Sequence, residues 1–236
     1  MVKYYRIAGL TVAMESFGRT VDQAIPYECE ACENPDAVIQ SVWEQVKKEY
    51  SYLSDEDGEY LATGVNFYKH LLNFGGMMLH SSAVVVDGKA YLFTADPGTG
   101  KSTHTRLYLQ HFGERAFILN DDKPALRLES DGWYAYGTPW SGKHNISVDT
   151  RVPMAGIAVL QRGEENSIVP FGGIDAIHAI MKQVNRPKAA EYRIKLLELM
   201  DKLITQVPVW LLKCNMDPQA AEVSYAAMSG EKGEEV

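Results

Sequence analysis

The sequence predicts an α/β domain with a mixed sheet, preceded by a small α+β subdomain. Three observations carry this. "SSAVVVDGKAYLFT" is two β-rich runs around Asp87-Gly88, a strong short hairpin signal, so the sheet holds antiparallel strands. The second run enters "ADPGTGKST", a glycine-rich turn that opens a helix. Later an apolar run, "FILNDD", ends on paired aspartates. An all-parallel series of strand–helix–strand units would not put a hairpin arm directly before such a turn.

The elements follow in order. Residues 3–14 alternate as one strand, and Gly18 and Pro26 punctuate what comes next. "ENPDAVIQSVWEQVKKEYSYL" predicts a helix capped by Asn34 or Asp36, with Val38, Val42 and Val46 near one face. "SDEDGEY" reads as an acidic loop, and "GVNFYKHLLNFGGMML" as a short helix closed by Gly75 and Gly76. Residues 1–75 form the N-terminal subdomain. The main domain, 76–228, opens with the hairpin over 83–94. "STHTRLYLQHFG" is a helix running to Gly113, and "RAFILNDDKPALRL" a strand followed by another extended run. "DGWYAYGTPWSGKHN" is a turn, a strand and a Gly/Ser-rich loop, and "MAGIAVLQRG" a buried strand. "IDAIHAIMKQV" and "AAEYRIKLLELMDKLITQV" are helices split by Arg186-Pro187. "PVWLLK" is a late strand, "DPQAAEVSYAAMSG" the last helix, and 229–236 a flexible acidic tail.

Composition narrows the function classes. A net charge of −8 argues against a nucleic-acid surface, since phosphate backbones attract basic faces. An anionic ligand must therefore be held by a local site. No apolar run is long enough to span a membrane, and the start lacks the pattern of a signal peptide, so a cytoplasmic protein is expected. Three cysteines make no disulfide framework. Cys29 and Cys32 form a C-x-x-C, but Cys214 is distant and no paired ligand completes a zinc site.

The segment Ala95-Asp96-Pro97-Gly98-Thr99-Gly100-Lys101-Ser102 fits the phosphate-loop frame G-x-x-x-x-G-K-[ST] except at its first position. Gly98 and Gly100 let the backbone turn tightly, so that successive N–H groups point at phosphate oxygens. The helix that begins near Lys101 aims its positive end at the same point. Lys101 would neutralise the β- and γ-phosphates, and the Ser102 hydroxyl would ligate Mg²⁺. The expected nucleotide contacts are Asp96, Pro97, Gly98, Thr99, Gly100, Lys101, Ser102 and Thr103. The bland alternative is a glycine-rich turn capping a helix.

A magnesium–nucleotide complex needs a carboxylate from a neighbouring strand, and Asp121 and Asp122 stand at a strand end. One would serve the metal and one the reacting hydroxyl; otherwise the pair is a solvated turn. His80 precedes the hairpin, whose pairing brings it beside the loop strand, although a lone histidine there is commonly structural. In "GTPWSGK", Gly137, Ser141, Gly142 and Lys143 could offer backbone donors and a cation to an anion, and Trp140 a stacking face. The alternative is a connecting loop with a structural tryptophan. Arg162 and Arg186 are further cations within conceivable reach. His70, His104, His111 and His178 show no metalloprotease spacing.

"LHSSAVVVDGKAYLFTADPGTGKST" followed by "LNDDKPAL" resembles the HPr kinase/phosphorylase and phosphoenolpyruvate carboxykinase superfamily. It looks most like its short stand-alone bacterial members, which also share "TPWSGK" and "CNMDP". The resemblance implies a mixed-sheet P-loop domain of that type. It implies that Lys101 is the loop lysine, that Ser102 and Asp121 serve the metal, that Asp122 accepts a proton, and that His80 is catalytic or near the metal. The likeness departs at Ala95, which replaces a glycine, and at "GTPWSGKHN", where the protein kinases' hallmark segment is missing. Trp140, Ser141 and Lys143 are the expected substrate contacts. The chain is too short for the extra domain of a carboxykinase.

The function expected is a kinase that uses ATP and Mg²⁺ to phosphorylate a hydroxyl on a peptide, a protein or a small alcohol. The alternative is a nucleotide-binding interaction module without turnover. No nucleic-acid or membrane partner is expected, and a homo-oligomer stays open.

Overall fold

A computed structural model describes residues 2–230. Two sheets are present. The first is small: β1 (Val2–Ile7) and β2 (Leu10–Glu15) are antiparallel, and β3 (Ala37–Ile39) pairs parallel with β2. The expected single strand over 3–14 is thus a hairpin, because Ala8 and Gly9 both take positive φ and reverse the chain. The expected long helix from Asn34 is also corrected. Residues 37–39 alternate buried, exposed, buried, which is the period of a strand. The Asp36 carboxylate accepts from the Thr11 backbone N–H at 2.7 Å and so serves the sheet rather than a helix. Only α2 (Trp43–Glu49) is helical there, after the short α1 (Gly18–Ala24).

The expected acidic loop is the first turn of α3 (Asp55–Leu71). Ser54 caps it by accepting from the Asp57 N–H at 3.1 Å, and Asp55, Glu56 and Asp57 face the positive end of the helix dipole. Gly75, at φ +70, ends a following 3-10 turn, while Gly76 begins β4 (Gly76–Met78).

Among the described residues the large sheet has nine strands. The hairpin of β5 (Ser81–Val86) and β6 (Lys89–Thr94) forms as expected, with Asp87 and Gly88 at φ +49 and +76. Then come α4 (Lys101–Phe112), β7 (Ala116–Asn120), β8 (Ala125–Glu129), β9 (Gly132–Tyr136) and β10 (Arg151–Arg162). The chain continues through β11 (Ser167–Pro170), α5 (Gly173–Met181), α6 (Ala190–Gln206), β12 (Val209–Cys214) and α7 (Gln219–Ser229). Sequence reading missed β11. Of the expected acidic tail, residues 231–236 lie outside the described residues.

The sheet is mixed because β6 is antiparallel to β5 but parallel to β10, and β10 is parallel to β12. Long β10 spans two neighbourhoods: its start pairs antiparallel with β9, its remainder with β6 and β12. As a result β6, β7, β10 and β12 all end at one edge, where an α/β sheet places its ligand crevice. Residues of α5 and α6 pack in one apolar cluster with one face of the sheet. Residues of α4 and α7 cover the other face. A third cluster joins the small sheet and α3 to Ala125, Tyr136 and Trp140 of the large-sheet region.

Candidate functional site

At the crevice edge β6 runs into the glycine-rich loop. Gly98 and Gly100 have φ +76 and +124, conformations costly for any residue with a Cβ. Thr99 closes the turn, its N–H and hydroxyl both donating to the Asp96 carbonyl at 3.2 and 2.8 Å. Lys101 is buried and its Nζ donates to the Ala95 carbonyl at 2.9 Å. Burial lowers its pKa, against the raising pull of Asp122, Asp96 and Asp121. The lysine is therefore seated amid three carboxylates at the start of α4. Arg162, from the end of β10, donates to the carbonyls of Gly98 and Thr99 at 2.6 and 3.3 Å and braces the loop from outside. Asp96 is tied to α5's C-terminal end through Gln183 Nε2 at 3.1 Å.

The two aspartates just past β7 diverge. Asp121 is buried toward α4, where Ser82 Oγ donates to its Oδ1 at 2.6 Å and Thr105 Oγ1 lies 2.9 Å from the same hydroxyl. Asp122 points the other way. His80 Nε2 is 3.2 Å from its Oδ1, and Lys123 Nζ is paired with its Oδ2. Burial pushes the Asp122 carboxyl up, but the hydrogen bond from His80 and the Lys123 ammonium outweigh it, and the net direction is down. His80 Nδ1 lies 3.2 Å from Gln183 Oε1, so glutamine and aspartate fix the ring between them. Asn120 Oδ1 accepts from the N–H groups of Asp122 and Lys123 at 3.0 and 2.8 Å and shapes the turn.

The 137–143 segment does not offer what its sequence suggested. Trp140 is fully buried, stacked on Phe67 at 4.8 Å between ring centroids, with Nε1 3.3 Å from Thr63 Oγ1. One face is covered by Phe67, and the ring lies in the wall of a cavity of about 330 Å³ beside α3. Gly137, Ser141 and Gly142 donate their N–H groups to Thr150 O, Pro139 O and Tyr60 Oη. Those donors are spent within the fold, and the buried Ser141 hydroxyl is 3.2 Å from Asn145 Oδ1. Lys143 is exposed. The segment instead packs Gly142 beside Asp122, where a Cβ on the glycine would lie 3.1 Å from the aspartate's own. Among the site's residues, Lys123, Gln183 and Ser82 were missed. Lys123 alone had a signal, as the cation directly after the aspartates.

Clefts flank the loop on both sides. One, about 550 Å³, lies between the loop, the end of β10 and Gln183. The other, about 430 Å³, lies between α4 and the Cys214–Met216 turn, with Leu107 and Leu160 in its wall. Among the described residues no group of three or more His, Cys, Asp or Glu side chains could hold a metal, and the three cysteines are free. A magnesium ion at a nucleotide needs less, because phosphates and waters supply most ligands. Ser102 at the head of α4 and Asp121, of which one oxygen is engaged by Ser82, fit that donor set. No helix among the described residues is long and apolar enough to cross a membrane.

The family model of SynChlorMet cassette protein ScmC matches residues 59–223. The chain belongs to this family. The ScmC match takes in α3 from Glu59 onward, the hairpin, the loop, both aspartates and β12, and leaves out the small sheet. No curated protein matches. Among solved structures, the Hpr(Ser) kinase/phosphatase from Coxiella burnetii matches with a TM-score of 0.40 and 13% identity, over 66% of this chain and 99% of that one.

Proposed function

We propose that this ScmC-family protein is a kinase that transfers the γ-phosphoryl group of ATP to a hydroxyl of a peptide, protein or small alcohol. The observation that carries this is the convergence at one sheet edge of Lys101, Asp121 and the His80–Asp122 pair. Lys101 and the loop N–H groups bind phosphate oxygens. Ser102 and Asp121 would hold Mg²⁺, which would supply positive charge to neutralise the phosphates. Asp122 is ionised well below neutral pH, so it can orient the acceptor hydroxyl and take its proton. His80, fixed by Gln183, holds the carboxylate in place.

Domain roles follow: the main domain binds the nucleotide and the N-terminal layer supports the acceptor side. Incubation with ATP–Mg²⁺ and a hydroxyl acceptor, with ADP and phospho-product measured together, tests the reading. Tight ATP–Mg²⁺ binding with no phospho-product from any acceptor refutes it. One observation favours a second reading, a nucleotide-binding module without turnover: both Asp122 oxygens are already engaged, by His80 and Lys123.

A further inference from the structure

That engagement of Asp122 points to what the acceptor carries. Lys123 stands between the aspartate and a pocket of about 330 Å³ bounded by α3 and the 184–186 segment. Its Nζ is paired with Asp122 Oδ2 on one side and lies 5.2 Å from the Tyr60 ring, a pocket wall, on the other. Tyr60 is fixed by the Gly142 N–H at 2.9 Å, and Lys123's own carbonyl by the Tyr68 hydroxyl. The aromatic frame of the pocket is thus held in place, while the Lys123 side chain forms a movable polar wall. Arg186 also lines it and makes no hydrogen bond or ion pair with the described residues. No aspartate or glutamate lines this pocket. In a chain of net charge −8, a cavity lined by two cations, of which only Lys123 has a carboxylate partner, carries a local excess of positive charge.

We infer that the acceptor bears a carboxylate a few bonds from its reacting hydroxyl, and that Lys123 and Arg186 receive it in this pocket. The inference rests on the kinase reading. The carboxylate exchanges for Asp122 as the partner of Lys123, so one ion pair replaces another. Asp122 Oδ2 is thereby released only when an acceptor is seated. The hydroxyl proton then passes to Oδ2, and the hydroxyl oxygen bonds to the γ-phosphorus of ATP. The bond from that phosphorus to the β-phosphate oxygen breaks, and ADP leaves with the electron pair. With water alone in the site the base stays masked, which limits wasteful hydrolysis.

Two probes distinguish the sources of such a carboxylate. The first is a library of serine-centred peptides with each flanking position fixed in turn as Asp, Glu, Asn, Gln or Lys. The second is glycerate compared with glycerol. Phosphate transfer from labelled ATP should be at least fivefold greater for the acidic member than for its neutral counterpart in one arm. Arg186→Gln and Lys123→Gln should each bring that ratio to within twofold of one; Arg186 is exposed, so its replacement does not disturb the core. Calorimetry of ATP–Mg²⁺ accompanies both. If ATP–Mg²⁺ fails to bind, the kinase reading falls and takes the inference with it. If it binds and no acceptor in either arm is phosphorylated, the kinase reading falls and the inference with it; if transfer occurs, the inference alone is overturned by a neutral or basic preference or by a ratio that survives both substitutions.

Discussion

Glu59→Gln should raise stability at alkaline pH and leave it nearly unchanged at acid pH. Glu59 lies in the first turns of α3 with no solvent exposure, and its Oε1 has no hydrogen-bond partner among the described residues. Burial pushes its carboxyl up to about 7, against the lowering effect of the Thr20 hydroxyl, the Phe17 N–H and Arg19. In the unfolded chain the group loses its proton near 4.5. Between these values the folded state binds more protons, so stability falls as pH rises through the window. At about 1.36 kcal/mol per pH unit, the ionised carboxylate costs on the order of 3 kcal/mol above pH 7. For a chain of this size that corresponds to roughly 6–12 °C in Tm. Buried His104 pulls the other way: burial lowers its pKa to about 4, so its contribution grows as pH rises from there toward 6.5. The parent's own curve mixes the two, and the informative quantity is the difference between parent and variant. Thermal unfolding of both at pH 5, 6, 7 and 8 measures it. Parallel curves across that range would refute the burial argument for Glu59.

Lys101→Ala should lose at least a hundredfold in ATP–Mg²⁺ affinity by calorimetry while remaining folded, since the hydrogen bond of its Nζ goes to a loop carbonyl, that of Ala95, and not to the core; unchanged affinity would sink the phosphate-loop reading. Asp121→Asn should weaken magnesium-dependent nucleotide binding along with turnover. Asp122→Asn should leave that binding nearly intact and cut transfer by roughly 10²–10⁴-fold, and equal losses of binding in the two variants would contradict the divergent geometry. Gly64→Ala would put a Cβ 2.9 Å from Trp140 Cδ1 and should destabilise by about 1–3 kcal/mol in urea titrations; an unchanged midpoint would show that the α3–Trp140 contact can relax.

The parts of the fold that were legible in the sequence are those whose signal is local. Asp87-Gly88 demanded positive φ and fixed the hairpin. The loop glycines did the same for the turn into α4. The N-terminal layer was misread because its decisive interactions are not local. Asp36, a good cap by type, is taken by Thr11 across the sheet, and the turn at Ala8-Gly9 lacks the Asn or Asp of a strong hairpin signal. Ser54 followed three residues later by Asp57 was a readable cap that the run of acidic residues concealed. The site divides along the same line. Lys101 and the aspartates are placed by a single loop and a single strand end, so their type and spacing announced them. Trp140 looked like a ligand platform because its loop lies beside Asp122, yet α3 arrives from elsewhere in the chain and buries it against Phe67. That burial brings Tyr60 beside Lys123 and Gly142 beside Asp122. The surroundings of Asp122 and Lys123 are thus built by packing between the two sheets' layers, and no stretch of sequence taken alone describes them.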